Sequence, residues 1–170
     1  MRESSRLGSF LGFGISRKII APEGIVAPNG TSCPYGSSVA VPTNGIHNDS
    51  VIYQDATEFR PFRFVEMREA ATAPDADPAA RKDTTHLVNN AKLSFVSLSA
   101  QYHPFGYGRH ACPGRFFAAN ELKLLMAYMF LNYEIETQSE RPPYKWVGTT
   151  LLPPMTHKVK FRRIQVSEKE

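Results

Sequence analysis

The chain predicts a mixed α and β fold made of short elements joined by tight turns. Three observations predict it. Thirteen prolines and eleven glycines in 170 residues interrupt the chain too often for many long elements. Strand-length runs alternate with turn signals between residues 15 and 41, as in a small sheet with close connections. One long run, residues 115–131, is apolar at helical spacing and reads as the principal helix. Apolar residues are 42% of the chain, enough for a core, and the length suits one domain or part of a larger one.

Taken in order, residues 2–7 read as the end of a helix, with Gly8 or Gly12 as its stop. Residues 15–20, 24–26 and 38–41 read as short strands, with Pro22-Glu23-Gly24, Asn29-Gly30 and Pro34-Tyr35-Gly36 as the turns. The polar stretch 43–50 has room for a short helix. Residues 56–64 carry Phe59, Pro61, Phe62 and Phe64 around Arg60 and Arg63, the composition of an irregular segment pinned to a core. Residues 70–83 are rich in Ala, Pro and Asp and read as a flexible exposed loop. A weakly apolar run, 93–98, precedes the loop 105–114. In the helix that follows, Phe117, Glu121, Leu124, Leu125, Tyr128 and Met129 fall on overlapping faces, so little of its surface is polar. Such a helix belongs inside a larger body. Residues 133–136 read as a strand, 151–154 as a turn or tip, 158–164 as a terminal strand and 165–170 as a frayed tail. There is no internal repeat.

Composition excludes several classes. The formal net charge is +4, with both signs mixed along the chain, far from the dense basic stripe of a nucleic-acid binder. Two cysteines, Cys33 and Cys112, do not make a disulfide scaffold. No Cys-x-x-Cys pair or histidine cluster points to zinc. The polar start, Met-Arg-Glu-Ser-Ser-Arg, is not a signal peptide. The longest wholly apolar run, 124–131, is eight residues, far short of a membrane span.

Residues 105–114 carry the chemistry: Phe-Gly-Tyr-Gly-Arg-His-Ala-Cys-Pro-Gly. Cys112 stands immediately before Pro113 and the long helix. Unpaired N–H groups and the dipole at a helix start stabilise a thiolate, and proline suits the first helical turn. Gly106, Gly108 and Gly114 let the backbone turn sharply and approach a flat ring closely. Phe105 can shield one side of the sulfur. A single shielded thiolate of this kind suits axial ligation of a haem iron. Arg109 and His110 precede the ligand, and either they or ordinary solvent contacts explain their place. His110 is the better candidate for a haem propionate, with Arg17 reaching from the sheet. Cys33 reads as a strand residue. At the other end of the chain, Glu3 and Arg6 share one helix face by their i, i+3 spacing, and Arg63 can fold back to join them as a buried, mutually neutralising group.

These residues together resemble the C-terminal part of a cytochrome P450, in the style of fungal microsomal monooxygenases. The family's haem loop, Phe-x-x-Gly-x-x-x-Cys-x-Gly, is matched by Phe105, Gly108, Cys112 and Gly114. Its Glu-x-x-Arg helix motif is matched by Glu3-Ser4-Ser5-Arg6, and its Pro-x-Arg-Phe segment by Pro61-Phe62-Arg63-Phe64. The three occur in the family's order. The resemblance implies a truncated P450-like fold over 1–164: the late helix, small sheets, the cysteine loop and the proximal helix.

It further implies haem b as cofactor, Cys112 as the iron ligand, and Glu3, Arg6 and Arg63 as a structural triad. His110 and Arg17 are implied as propionate contacts, with Phe105, Gly106 and Gly114 also around the haem. The implied activity is O₂-dependent monooxygenation of a small hydrophobic organic substrate in secondary metabolism. Electrons would come from cytochrome P450 reductase, docked with help from Arg109. Full-length relatives of this kind are anchored in the endoplasmic reticulum membrane. No anchor and no distal oxygen-handling motif is matched here, so no distal catalytic residue is assigned. The expectation is that an N-terminal portion lies outside the chain and that the chain alone is poorly soluble and inactive. The alternative is a non-catalytic haem-binding protein or a partner-dependent structural remnant.

Overall fold

A computed structural model describes residues 1–72 and 93–165. The chain divides into two compact units, Met1–Cys112 and Pro113–Glu170.

The first unit opens with helix α1, Arg2–Leu7. Glu3 in its first turn and Arg6 in its last complement the helix dipole, and the Gly8 N–H closes the end on the Ser4 carbonyl at 2.8 Å. Strand β1, Gly14–Lys18, pairs antiparallel with β4, Ser38–Val41, in the register Arg17 to Val39 and Lys18 to Ser38. A bulge interrupts the pairing between Gly14 and Arg17, where Ile15 takes φ +54°, an uncommon conformation for a β-branched residue. Between them, β2 (Ile25–Val26) and β3 (Ser32–Cys33) form a second antiparallel pair.

Helix α2, Thr43–His47, follows at once. It lies so close to β1 that a Cβ on Gly14 would stand 2.5 Å from the Thr43 Oγ1. Helix α3 spans Arg63–Thr72. The core of the unit is Tyr53, Ala56 and Phe64, with Leu93 packed against them. Tyr102 is fully buried and meets Phe64 edge-on at 6.1 Å.

The second unit is built on helix α4, Arg115–Asn132. It leads straight into β5, Tyr133–Ile135, which pairs antiparallel with β8, Phe161–Arg163. Tyr133 packs edge-on against Phe161 across that pair. Strands β6 (Lys145–Val147) and β7 (Thr150–Leu152) form a hairpin. Its turn is made possible by Gly148 at φ +59°.

Three sequence expectations need correction. Residues 151 and 152 are strand rather than tip: the turn falls at Gly148, and Pro153 and Pro154, lacking N–H groups, follow the end of the ladder. The segment read as irregular through Phe64 gives way to a helix at Arg63, because the run after Pro61 is dominated by helix formers such as Glu66, Met67, Arg68 and Ala70. That helix also takes in residues 70–72 of the segment read as a flexible loop, whose remaining residues lie outside those described. The frayed tail expected at 165–170 lies almost wholly outside them too. Helix α4 buries only Ala119, consistent with the reading of a helix that belongs inside a larger body.

Candidate functional site

The cysteine loop is shaped by its own backbone. The Cys112 N–H donates to the Phe105 carbonyl at 2.8 Å, which brings the two ends of the loop together. Where the loop begins, the Gly106 N–H donates to the His103 carbonyl at 3.1 Å, and inside the closure the Ala111 N–H donates to the Gly108 carbonyl at 3.1 Å. Residues Gly108–His110 form a 3₁₀ turn. Gly106 and Gly108 sit at φ +79° and +68°, values that an L side chain adopts only with strain. Gly114 takes φ −74° as the first cap of α4, a helical conformation open to any residue, so the sharp turning belongs to the other two glycines.

Cys112 is exposed and not disulfide-bonded. His110 and Arg109 are exposed on the 3₁₀ turn. Phe105 is half-buried and set perpendicular to Phe95 at 5.4 Å. Arg17 is exposed on β1 and donates to the carbonyl of its neighbour Ser16 at 2.7 Å. No hydrogen bond or ion pair joins it to the cysteine loop among the described residues.

Glu3, Arg6 and Arg63, in contrast, meet. Arg6 grips Glu3 with two bonds, Nε to Oε2 at 2.9 Å and Nη2 to Oε1 at 2.8 Å. Arg63 Nε donates to Glu3 Oε1 at 3.0 Å, and the Arg60 N–H reaches the same oxygen at 3.2 Å. All three side chains are buried. Burial alone pushes the Glu3 pKa up, but hydrogen bonds from Arg6, Arg63 and Arg60 outweigh it and hold the carboxyl below its ordinary value.

The two guanidiniums spend their remaining donors on backbone. Arg6 Nη1 donates to the carbonyls of His47 and, at 2.6 Å, Ala56. Arg63 donates to the Gln54 carbonyl and, at 2.9 Å, to that of Asp55. The group thus fixes the turn-rich segment 54–58 onto α1. Replacing such a buried set by apolar residues can be neutral, while removing one member strands a charge and costs about 3–5 kcal/mol.

Four further residues complete this buried layer, and sequence reasoning missed them. The Arg2 guanidinium lies 3.7 Å from the centroid of the Tyr102 ring and 4.7 Å from that of Phe64. His47 stacks on Tyr102 at 5.6 Å and lies 5.1 Å from His103. The His103 N–H donates to His47 Nε2 at 3.1 Å, which leaves the His47 proton on Nδ1. Burial, reinforced by His103, lowers the His47 pKa to about 4, and burial lowers that of His103. Burial pushes the Tyr102 hydroxyl up to about 12. Their only sequence signal is position: Arg2 adjoins Glu3, and Tyr102-His103 immediately precedes Pro104-Phe105.

A loop presenting one cysteine, backed by a buried Glu–Arg–Arg group, defines a recognisable class. The cytochrome P450 family model matches residues 1–161, and the chain belongs to that family. It is similar to cytochrome P450 monooxygenase 151 of Postia placenta, with 40% identity over 167 residues, covering 97% of this chain and 30% of the relative. Cytochrome P450 monooxygenase fsoD of Humicola fuscoatra is 38% identical over 96% of this chain and 28% of its own length. Among solved structures, the retinoic acid-bound cyanobacterial CYP120A1 superposes with a TM-score of 0.63 at 22% identity, over 96% of this chain and 31% of that one. A zebrafish cytochrome P450 with abiraterone gives 0.60 at 20% identity, over 96% and 32%. These two likenesses concern the fold. The chain spans about 30% of the length of the curated relatives it matches.

Family membership implies haem b as the prosthetic group. Among the described residues no helix is long and apolar enough to cross a membrane, and no group of three or more His, Cys, Asp or Glu side chains is placed to hold a metal ion.

Proposed function

We propose that this chain supplies the haem-thiolate portion of a P450 monooxygenase acting on a small hydrophobic organic molecule in fungal secondary metabolism. Cys112 would hold the haem iron through its thiolate. The observation that carries this reading is the geometry of residues 105–112: an exposed thiol on a loop closed by its own amide and turned by two left-handed glycines. A loop of that kind suits one thiolate directed at a large flat ligand. A cage of several ligands would need side chains that the described neighbourhood lacks.

When bound, a haem held by this thiolate would supply oxygen activation, the thiolate donating electron density to the iron. The chain's own residues do the rest. Phe105, held by Phe95, shields one side of the loop from water. Gly106 and Gly108 present backbone without side chains. His110 and Arg17 offer donors for the two propionates, Gly114 begins the proximal helix α4, and Glu3, Arg6 and Arg63 hold the scaffold behind the loop. Arg109, exposed on the 3₁₀ turn, is the contact offered to a reductase. Relatives of this family bearing the name monooxygenase support the reaction class.

A second reading has its own observation. Phe117, Leu124 and Leu131 on α4 are each more than 70% exposed, which favours a chain that is non-catalytic alone and depends on a partner polypeptide. One experiment bears on both. Purified chain with haem, reductant and carbon monoxide gives the red-shifted Soret band of a thiolate-ligated haem, and Cys112→Ser abolishes it. Persistence of the band in that variant overturns the ligand assignment. Oxidation of an organic substrate by the chain with reductase alone overturns the partner-dependent reading.

A further inference from the structure

We infer that Arg2 is a positioning residue for the cysteine loop: its guanidinium ties the segment from Ser94 to Phe105 onto α1 and thereby sets where Cys112 is presented. The role given to Cys112 rests on the function proposed above. The tie itself rests only on contacts within the first unit.

Arg2 differs from its two neighbouring arginines in one respect. Arg6 and Arg63 both reach Glu3. Arg2 is only 8% exposed, yet no carboxylate pairs with it among the described residues, and its Nε has no hydrogen-bond partner. A buried cation without an acid is expensive. Packing alone does not explain it, because leucine or methionine would fill such a space without desolvating a charge.

What Arg2 does reach is specific. Its Nη1 donates to the carbonyls of Ser94 and, at 3.2 Å, Ser97, and its plane faces the Tyr102 ring at 3.7 Å. A planar guanidinium can stack on a ring and read carbonyls at once. These three contacts fall on one short stretch of chain, directly before the cysteine loop.

From that stretch the contacts continue to the thiol-bearing residue. The Tyr102 hydroxyl donates to the Phe95 carbonyl at 3.4 Å. The Phe95 ring meets Phe105 edge-on at 5.4 Å. The Phe105 carbonyl accepts the Cys112 N–H at 2.8 Å. Arg2 therefore stands at one end of a continuous set of packed and hydrogen-bonded groups, and the amide that closes the loop stands at the other. Contiguity alone does not establish coupling; a measured interaction between the two ends does.

Amide exchange on the haem-free 170-residue chain measures it. Arg2→Met raises exchange at the Gly106 and Cys112 amides by about ten-fold or more, while amides in the β1–β4 ladder stay within about two-fold. Alkylation of Cys112 relative to Cys33, the internal reference thiol, shifts in the same variant. Arg2→Lys, which keeps a cation over the ring, restores most of the protection. Tyr102→Leu reproduces Arg2→Met, and the double variant is no worse than the more severe single one. Lys18→Met, exposed on β1, changes nothing in the loop.

Unchanged loop exchange, a uniform rise across the unit, or additive effects in the double variant each overturn the inference. Should Arg2→Met not fold, Arg2→Lys and Tyr102→Leu decide. A rise confined to the loop, smaller in Arg2→Lys, supports the tie; no rise or a uniform one overturns it. If the coupling is present but wild-type chain gives no thiolate-type spectrum with haem, the positioning stands and the proposed function falls.

Discussion

His47 has no exposed surface, and the groups around it leave no room for a charge. Arg6 donates to its carbonyl, Arg2 lies over the Tyr102 ring on which His47 stacks, and His103 lies against its ring. Arg6 and Arg63 already share the Glu3 carboxylate, and Arg2 has no acid partner among the described residues, so an imidazolium here would have no counter-charge. The pKa of His47 accordingly falls from 6.5 to about 4. In the unfolded chain the same ring titrates near its ordinary value. Between the two values the unfolded state binds a proton that the folded state refuses, so stability falls as pH falls. The loss is at most about 1.4 kcal/mol per pH unit, and it vanishes above the ordinary histidine value. His103 shifts the same way. Glu3 has a depressed pKa, so its contribution is lost only below the ordinary carboxylate value, and the range from about pH 6.5 to 5 belongs to the histidines. Urea unfolding of the first unit therefore shows a lower midpoint at pH 5 than at pH 7, and His47→Gln, which keeps an acceptor for the His103 N–H, flattens that slope. An equal midpoint at both values, or an unchanged slope in the variant, overturns this account.

At the scale of elements, the cysteine loop depends on its backbone rather than on side-chain fit. A Cβ on Gly106 would meet the His110 carbonyl at 3.5 Å and the Ala111 Cα at 3.6 Å, ordinary contact distances. The obstacle is φ +79°. Gly106→Ala is expected to cost about 1–2 kcal/mol, measured as a drop in unfolding midpoint together with faster exchange of the Cys112 amide. A neutral Gly106→Ala would show that the left-handed conformation is not needed.

The same loop was the most legible part of the sequence, because glycine, proline and cysteine at fixed spacing act locally. The pairing of Glu3 with Arg6 was legible for a similar reason, helical spacing, and Arg63 came with it through the aromatic segment. Helix α3 was not legible. Phe59, Pro61, Phe62 and Phe64 dominate the reading there, while the helix is set by the quieter residues after them. The burial of His47 and His103 was invisible too, since it depends on α2 and the segment at 102–103 meeting in space, which no local pattern records.

At the scale of the whole molecule, the second unit raises a question of surface. Phe117, Leu124, Tyr128 and Leu131 recur at spacings of seven, four and three, which aligns them along one stripe of α4, and all four are exposed. The sequence periodicity is that of a helix that belongs inside a larger body. The structure places its apolar residues in contact with solvent, where a contiguous stripe favours association. Each large side chain that such contact removes from water contributes about 1.5–3 kcal/mol, so the stripe as a whole is strong enough to drive self-association of the chain. Sedimentation of the purified chain is therefore expected to show species larger than a monomer, growing with concentration. The double substitution Leu124→Glu and Leu131→Lys introduces one charge of each sign into the stripe, leaves the net charge at +4, and shifts the distribution toward monomer. Keeping the net charge constant separates the loss of apolar surface from simple like-charge repulsion. A variant that associates as strongly as the parent would place the sticking surface elsewhere, with Phe116 and Phe130, outside the stripe, next to be replaced.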